Sequence, residues 1–166
     1  MRIIKQVNQS EVFSHWEKVE KISIWNRQDI VFPLVAYGDL IWSLAVIEDT
    51  DVEKIYICSS DDWKTDGLCN PNFKLTTAIA NYKKSDFSQG KYADIKAKEE
   101  IFSGNISGLD TKLILVGDSQ TGCFTLIEGC KRSVALGSLN KLIGLEVYIG
   151  VSPAIKNYVW SRYVYS

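Results

Sequence analysis

Lys112-Leu113-Ile114-Leu115-Val116, a turn from Gly117 to Gly122, then Cys123-Phe124-Thr125-Leu126-Ile127-Glu128-Gly129-Cys130-Lys131-Arg132-Ser133-Val134-Ala135-Leu136 is the stretch that decides the fold. Two short apolar runs rich in β-branched and aromatic residues flank a turn bearing Asp118 and Ser119, the pattern of a hairpin. Glu128-Gly129-Cys130 is a tight break after the second run. Lys131–Leu139 is helix-compatible, with Val134, Ala135 and Leu136 on the face turned to a sheet.

Leu145-Glu146-Val147-Tyr148-Ile149-Gly150 reads as a third strand. Ser152-Pro153 follows as an N-cap and a first-turn proline opening a last helix. Upstream, Lys91–Ser103 places Tyr92, Ile95 and Phe102 near one helical face, and Gly104 suits its end. Asn105–Asp110 is a polar connection and Asp86–Gly90 a polar break. Leu75–Tyr82 is a short helix and Ser59–Asn72 a loop. Asp49-Thr50-Asp51 starts a helix with Val52, Ile55 and Tyr56 on one face, and Leu40–Ile47 is a buried strand. Pro33 argues against a central strand through Ile30–Leu34. Ile22 and Ile24 alternate with Ser23 in a short extended piece. Ser10 caps a helix carrying Val12, Phe13, Trp16 and Val19. Together these elements predict an α+β fold with a small mixed sheet and short helices. One compact domain is expected, with a Trp-rich part over residues 1–85 and a second part over 86–166.

The junction Glu128–Arg132 carries chemical content. Glycine lets a ligand approach the backbone closely. The first amides of a helix lack internal partners and sit at the positive end of its dipole, so they attract anions. Lys131 and Arg132 add charge, Arg132 as a two-point donor to phosphate. Gly129, Cys130, Lys131, Arg132 and Ser133 are therefore the candidate phosphate-binding residues. The same junction also occurs as a plain structural turn, and both readings stand here.

Phe124–Leu136 resembles the core of the ParB/sulfiredoxin superfamily, in which a strand runs into a Gly-x-x-Arg turn and a short helix. The sulfiredoxin form, Gly-Gly-Cys-His-Arg, is matched at Gly129, Cys130 and Arg132. The resemblance spans roughly residues 91–157 and is strongest over 112–152. It implies binding of ATP or another nucleotide, with magnesium, or of a phosphorylated small molecule. The superfamily holds ATP- and CTP-dependent phosphotransferases and hydrolases, and also non-catalytic partners. Fold alone does not choose among them. Lys131 replaces the family's histidine and, being charged, is a poor general base. Glu128 replaces a glycine and reads either as a magnesium ligand or base, or as a cap on a neighbouring amide. Cys130 reads either as a nucleophile whose pKa the helix end and its basic neighbours lower, or as a small residue that fits the turn. Glu128 and Cys130 are the catalytic candidates. An adaptor of the same fold that binds a peptide or partner protein is the alternative, suggested by the Trp-rich N-terminal part, which also suits a homodimer surface.

The weaker candidates are His15, the pairs Asp49/Asp51 and Asp61/Asp62, Lys91, Lys96 and Lys98 as phosphate contacts, and Glu99 or Glu100 as a second acid. Cys58, Cys69 and Cys123 read as passive thiols. The chain has 166 residues, a net charge of -1 and 46% hydrophobic residues. No basic arm favours DNA, and no apolar run of membrane-spanning length occurs. Four cysteines without a C-x-x-C pair, and a single histidine, argue against a structural metal. They suit reduced thiols in a cytoplasm.

Overall fold

The computed structural model describes residues 1–36, 39–86 and 90–165. A mixed six-stranded sheet is built from β1 (Arg2–Gln6), β2 (Ile41–Val46), β3 (Ile55–Ile57), β4 (Leu113–Gly117), β5 (Phe124–Glu128) and β6 (Glu146–Val151), in the order β1-β2-β6-β4-β5-β3. β4 and β5 form the expected antiparallel hairpin, whereas β4/β6 and β3/β5 pair in parallel. The strands of the first third therefore flank those of the last third, and the two are hydrogen-bonded through β2/β6 and β3/β5. β4 and β5 are buried along their whole length, as strands covered on both faces must be.

Helices cover both faces. On one side lie α1 (Gln9–Glu20) and α2 (Gln28–Ala36), whose Val12, Trp16, Ile30, Val31 and Leu34 pack with Trp42, Ile114, Val116 and Ile127 of the sheet. The short α3 (Asp61–Thr65) contributes Trp63 to the other side. There α4 (Leu75–Lys83), α5 (Gly90–Phe102) and α6 (Cys130–Ser138) bury Ala78, Ile95 and Val134 against Leu115, Leu126 and Val147. No helix among the described residues is long and apolar enough to cross a membrane.

Local chemistry explains where these elements stop. The cap of α1 is Asn8 and not Ser10: Asn8 Oδ1 accepts from Glu11 N–H at 2.8 Å, and Ser10 Oγ, inside the first turn, donates to the same oxygen at 2.6 Å. α6 ends on Asn140 in the left-handed region, with Lys141 N–H donating to Leu136 O (2.8 Å) and Asn140 N–H to Gly137 O (3.1 Å), the double bond of a Schellman motif. The Lys141 ammonium then donates to Phe102, Ser103 and Gly104 carbonyls at 2.6–3.2 Å, neutralising the end of α5 and fixing it to α6.

Three further expectations need correction. Ile24–Asn26 is a 3-10 turn rather than an extended piece. Asp49–Lys54 is a 3-10 helix, and Ile55 and Tyr56 leave it for β3 instead of sharing its face. Asp61–Thr65 is helical within the expected loop. Of the expected polar break at Asp86–Gly90, residues 87–89 lie outside the described residues.

The region around Pro33 is helical. A proline there has no N–H for the carbonyl four residues earlier, that of Asp29. Trp160 Nε1–H donates to Asp29 O at 2.8 Å and replaces the missing bond.

Gly150 faces Trp42 across the β2/β6 pair, and a Cβ there would lie 2.7–2.9 Å from the buried indole ring. Gly150→Ala should therefore lower the unfolding free energy by about 1–3 kcal/mol through overpacking. Urea denaturation followed by tryptophan fluorescence measures it; an unchanged midpoint would mean that the indole is free to shift.

Candidate functional site

β5 enters α6 without a loop. Gly129 makes the turn at φ 89° and ψ 21°, a conformation that disfavours any side chain. A Cβ there would also sit 2.6 Å from Leu113 Cδ2 and 3.1 Å from the Arg132 guanidinium. No side chain caps the first turn of α6 among the described residues, and Ser133 N–H, bonded to Gly129 O at 2.8 Å, closes the first turn. The amides of Cys130, Lys131 and Arg132 precede that bond.

This turn opens on a cleft of about 850 Å³. Glu128, Gly129, Cys130, Lys131 and Arg132 line it together, so the structure gathers five of the sequence candidates in one concavity. Ser133 lies behind them: it is fully buried, and its hydroxyl donates to Cys130 O at 2.8 Å. Opposite the turn stand Asp94 and Lys98 of α5, with Lys91 at its start, and Cys58, Ser60, Asp62 and Trp63 beyond β3. Glu20, Arg27, Asp29 and Trp160 form the remaining wall.

Most of the charges in the cleft are paired. Arg132 and Glu128, 7% and 6% exposed, form a buried ion pair one helical turn apart. Arg132 Nη1 also reaches Asp110 O at 3.4 Å, while its buried Nε has no hydrogen-bond partner among the described residues. Lys131 pairs with Asp94, and Lys91 bridges Asp62 and Asp66 at 2.7 Å each. Burial pushes the Glu128 carboxyl up to about 7 even though the Arg132 guanidinium pulls it down; Glu20 and Asp110 push it further. The carboxyl thus sits where it can hold or release a proton near neutral pH.

Cys130 departs from expectation. Its Sγ lies 3.9 Å from Cys58 Sγ and 3.5 Å from Leu126 O. The facing Cys58 thiol, together with burial, holds Cys130 well above the ordinary thiol range, so the helix end does not lower it. Cys58 is the thiol shifted down, through its hydrogen bond with Cys130. The sequence reading missed Cys58 because its partner is 72 residues away. Cys69 is buried elsewhere, its thiol pushed up to about 12.

Other candidates take structural places. Glu99 accepts from Tyr82 (3.2 Å), Lys96 (2.7 Å) and Ser138 (2.6 Å), tying α4, α5 and α6 together outside the cleft. Glu100 is exposed and does not line the cleft. His15 lies outside it, 3.8 Å from Asp110, and burial keeps its pKa low. Asp51 accepts from Glu48 N–H in a capping box, Asp61 pairs with Arg162, and Asp118 accepts from Tyr165. No group of three or more metal-ligating side chains occurs among the described residues.

Comparison of the chain with protein-family models, with curated proteins and with solved structures gives no match.

The raised Glu128 pKa has a signed consequence. The folded chain keeps a proton on Glu128 between its ordinary value of 4.5 and about 7, where the unfolded chain has lost it. Its contribution to stability is complete below pH 4.5 and disappears as pH rises through 7. Denaturation of the wild type and Glu128→Gln across pH 5 to 8 should show the wild type losing stability relative to the variant as pH increases. Taking the difference cancels the opposite slope of His15. Parallel profiles would place the carboxyl's titration below this window.

Proposed function

We propose that the chain binds a phosphate-bearing ligand, a nucleotide carried with magnesium, at the first turn of α6. The single observation that supports this most is the combination of an uncapped helix start with the buried Arg132, whose Nε lacks a partner, in the wall of a large cleft. Backbone amides there offer fixed donors to oxyanions. A guanidinium facing the same space supplies charge and a planar donor pair. The similarity of Phe124–Leu136 to the ParB/sulfiredoxin superfamily is the reason for choosing a nucleotide over a simple anion.

In this reading Gly129 and the amides of Cys130, Lys131 and Arg132 hold the phosphate. Arg132 exchanges part of its contact with Glu128 for the ligand. Glu128 would be the residue to hold magnesium, or it takes a proton from an attacking hydroxyl or water, which its pKa near neutrality suits. Lys131 and Lys98 supply charge from the rim. Phosphotransfer and nucleotide hydrolysis are the reaction classes this arrangement fits.

A second reading is a non-catalytic adaptor. It is favoured by Trp25 and Phe32, which are 48% and 49% exposed with ring centroids 6.0 Å apart. Exposed aromatic pairs of this kind serve as anchors for a peptide or partner protein.

Titration calorimetry with ATP, ADP, CTP and inorganic phosphate, each with magnesium, separates the two. Nucleotide binding should release heat with at least one of them. Arg132→Lys, which keeps the buried charge but loses the fork, should weaken it by about tenfold or more. Absence of heat with all four ligands from folded protein would sink the phosphate reading and leave the adaptor.

A further inference from the structure

We propose that Cys58 and Cys130 are a reactive dithiol that a hydroperoxide converts into a reversible disulfide in the wall of the cleft. The sulfurs are 3.9 Å apart, in van der Waals contact, and both residues line the cleft. They come from elements locked to each other. β3 pairs with β5 in parallel through Ile57 and Leu126, and Cys58 N–H donates to Leu126 O at 3.1 Å. Cys130 Sγ lies 3.5 Å from that same carbonyl. One carbonyl thus holds the Cys58 backbone and the Cys130 thiol, and closing the bond needs a short approach of two side chains rather than a rearrangement of the sheet.

The pairing is specific among the four cysteines. Cys69 is wholly buried, and Cys123 lies at the opposite end of β5 from Cys130. The polarity within the pair is also set. Cys130 Sγ donates its proton to Leu126 O at 3.5 Å, which holds it as the thiol and leaves the facing Cys58 sulfur to attack first. The thiolate is the nucleophile in such chemistry.

The reaction balances as follows. The Cys58 thiolate attacks the terminal oxygen of the hydroperoxide; the S–O bond forms and the O–O bond breaks. The departing alkoxide takes a proton and leaves as alcohol, or as water from hydrogen peroxide. Cys58 is then a sulfenic acid. The Cys130 sulfur attacks Cys58 Sγ; the S–S bond forms, the S–O bond breaks, and hydroxide leaves as water with the proton from Cys130. Two thiols have given two electrons to one peroxide. A dithiol reductant reverses the final bond by exchange.

This chemistry needs no phosphate ligand, so it stands or falls apart from the nucleotide reading. The test treats the full chain with one equivalent of hydrogen peroxide, blocks remaining thiols with iodoacetamide, and maps peptides by mass spectrometry without reduction. A linked Cys58–Cys130 peptide, lighter by two hydrogens and lost on treatment with dithiothreitol, is expected. In Cys130→Ser, dimedone should capture a sulfenic acid at Cys58. Both thiols of the wild type remaining alkylatable, a bridge to Cys69 or Cys123 instead, sulfinic acid at Cys58 without a bridge, or no dimedone adduct in folded Cys130→Ser would each overturn the proposal.

Discussion

The left-handed turn at Gly129 is the constraint from which the rest of the molecule follows. At φ 89° it passes the chain from β5 into α6 without a linker, with no room for a side chain beside Leu113 and Arg132. The direction of α6 is then inherited from β5, the strand paired on both edges with β4 and β3. Lys141, just past the end of α6, sets the end of α5, and Glu99 of α5 accepts from the Ser138 hydroxyl. Through these bonds the turn positions the α5 and α6 side of the cleft.

The same turn forces a costly arrangement of charge. Glu128 ends β5 and Arg132 lies one turn into α6, so both heads fall into the sheet's end, nearly out of water. Desolvation of two ions opposes their mutual attraction, and a buried pair adds little net stability. The raised pKa of Glu128 expresses that balance: removal from water outweighs an adjacent guanidinium. Apolar residues would fill this volume at no electrostatic cost. Stability alone therefore does not account for the pair.

Legibility in the sequence followed the range of the interactions. The hairpin, α6, β6 and the helix at Gly90–Phe102 were readable because turn chemistry and apolar periodicity are local. β1 was not: Arg2–Gln6 is exposed along its length at a sheet edge, so it carries no alternation to read. α2 was hidden by Pro33, whose missing donor is replaced by Trp160 in a bond to Asp29 O that spans 131 residues. Within the site, the Gly129–Arg132 turn was legible from residue types alone. The Cys58–Cys130 contact and the Lys131–Asp94 pair were not, since each joins distant segments.

Charge balance narrows what the cleft can accept. Arg27, Lys91, Lys98, Lys131 and Arg132 face Glu20, Asp29, Asp62, Asp94 and Glu128. Four of those cations are already held by carboxylates, and Lys98 alone of the five has no ion pair among the described residues. A bare polyphosphate would meet as many negative groups as positive ones, so electrostatic steering would be weak. A phosphate whose charge is offset by a divalent cation would not meet that opposition. Mixed charge of this kind lines the cleft. It gives little to a free anion, which would have to displace a carboxylate for every contact it gained with a paired cation.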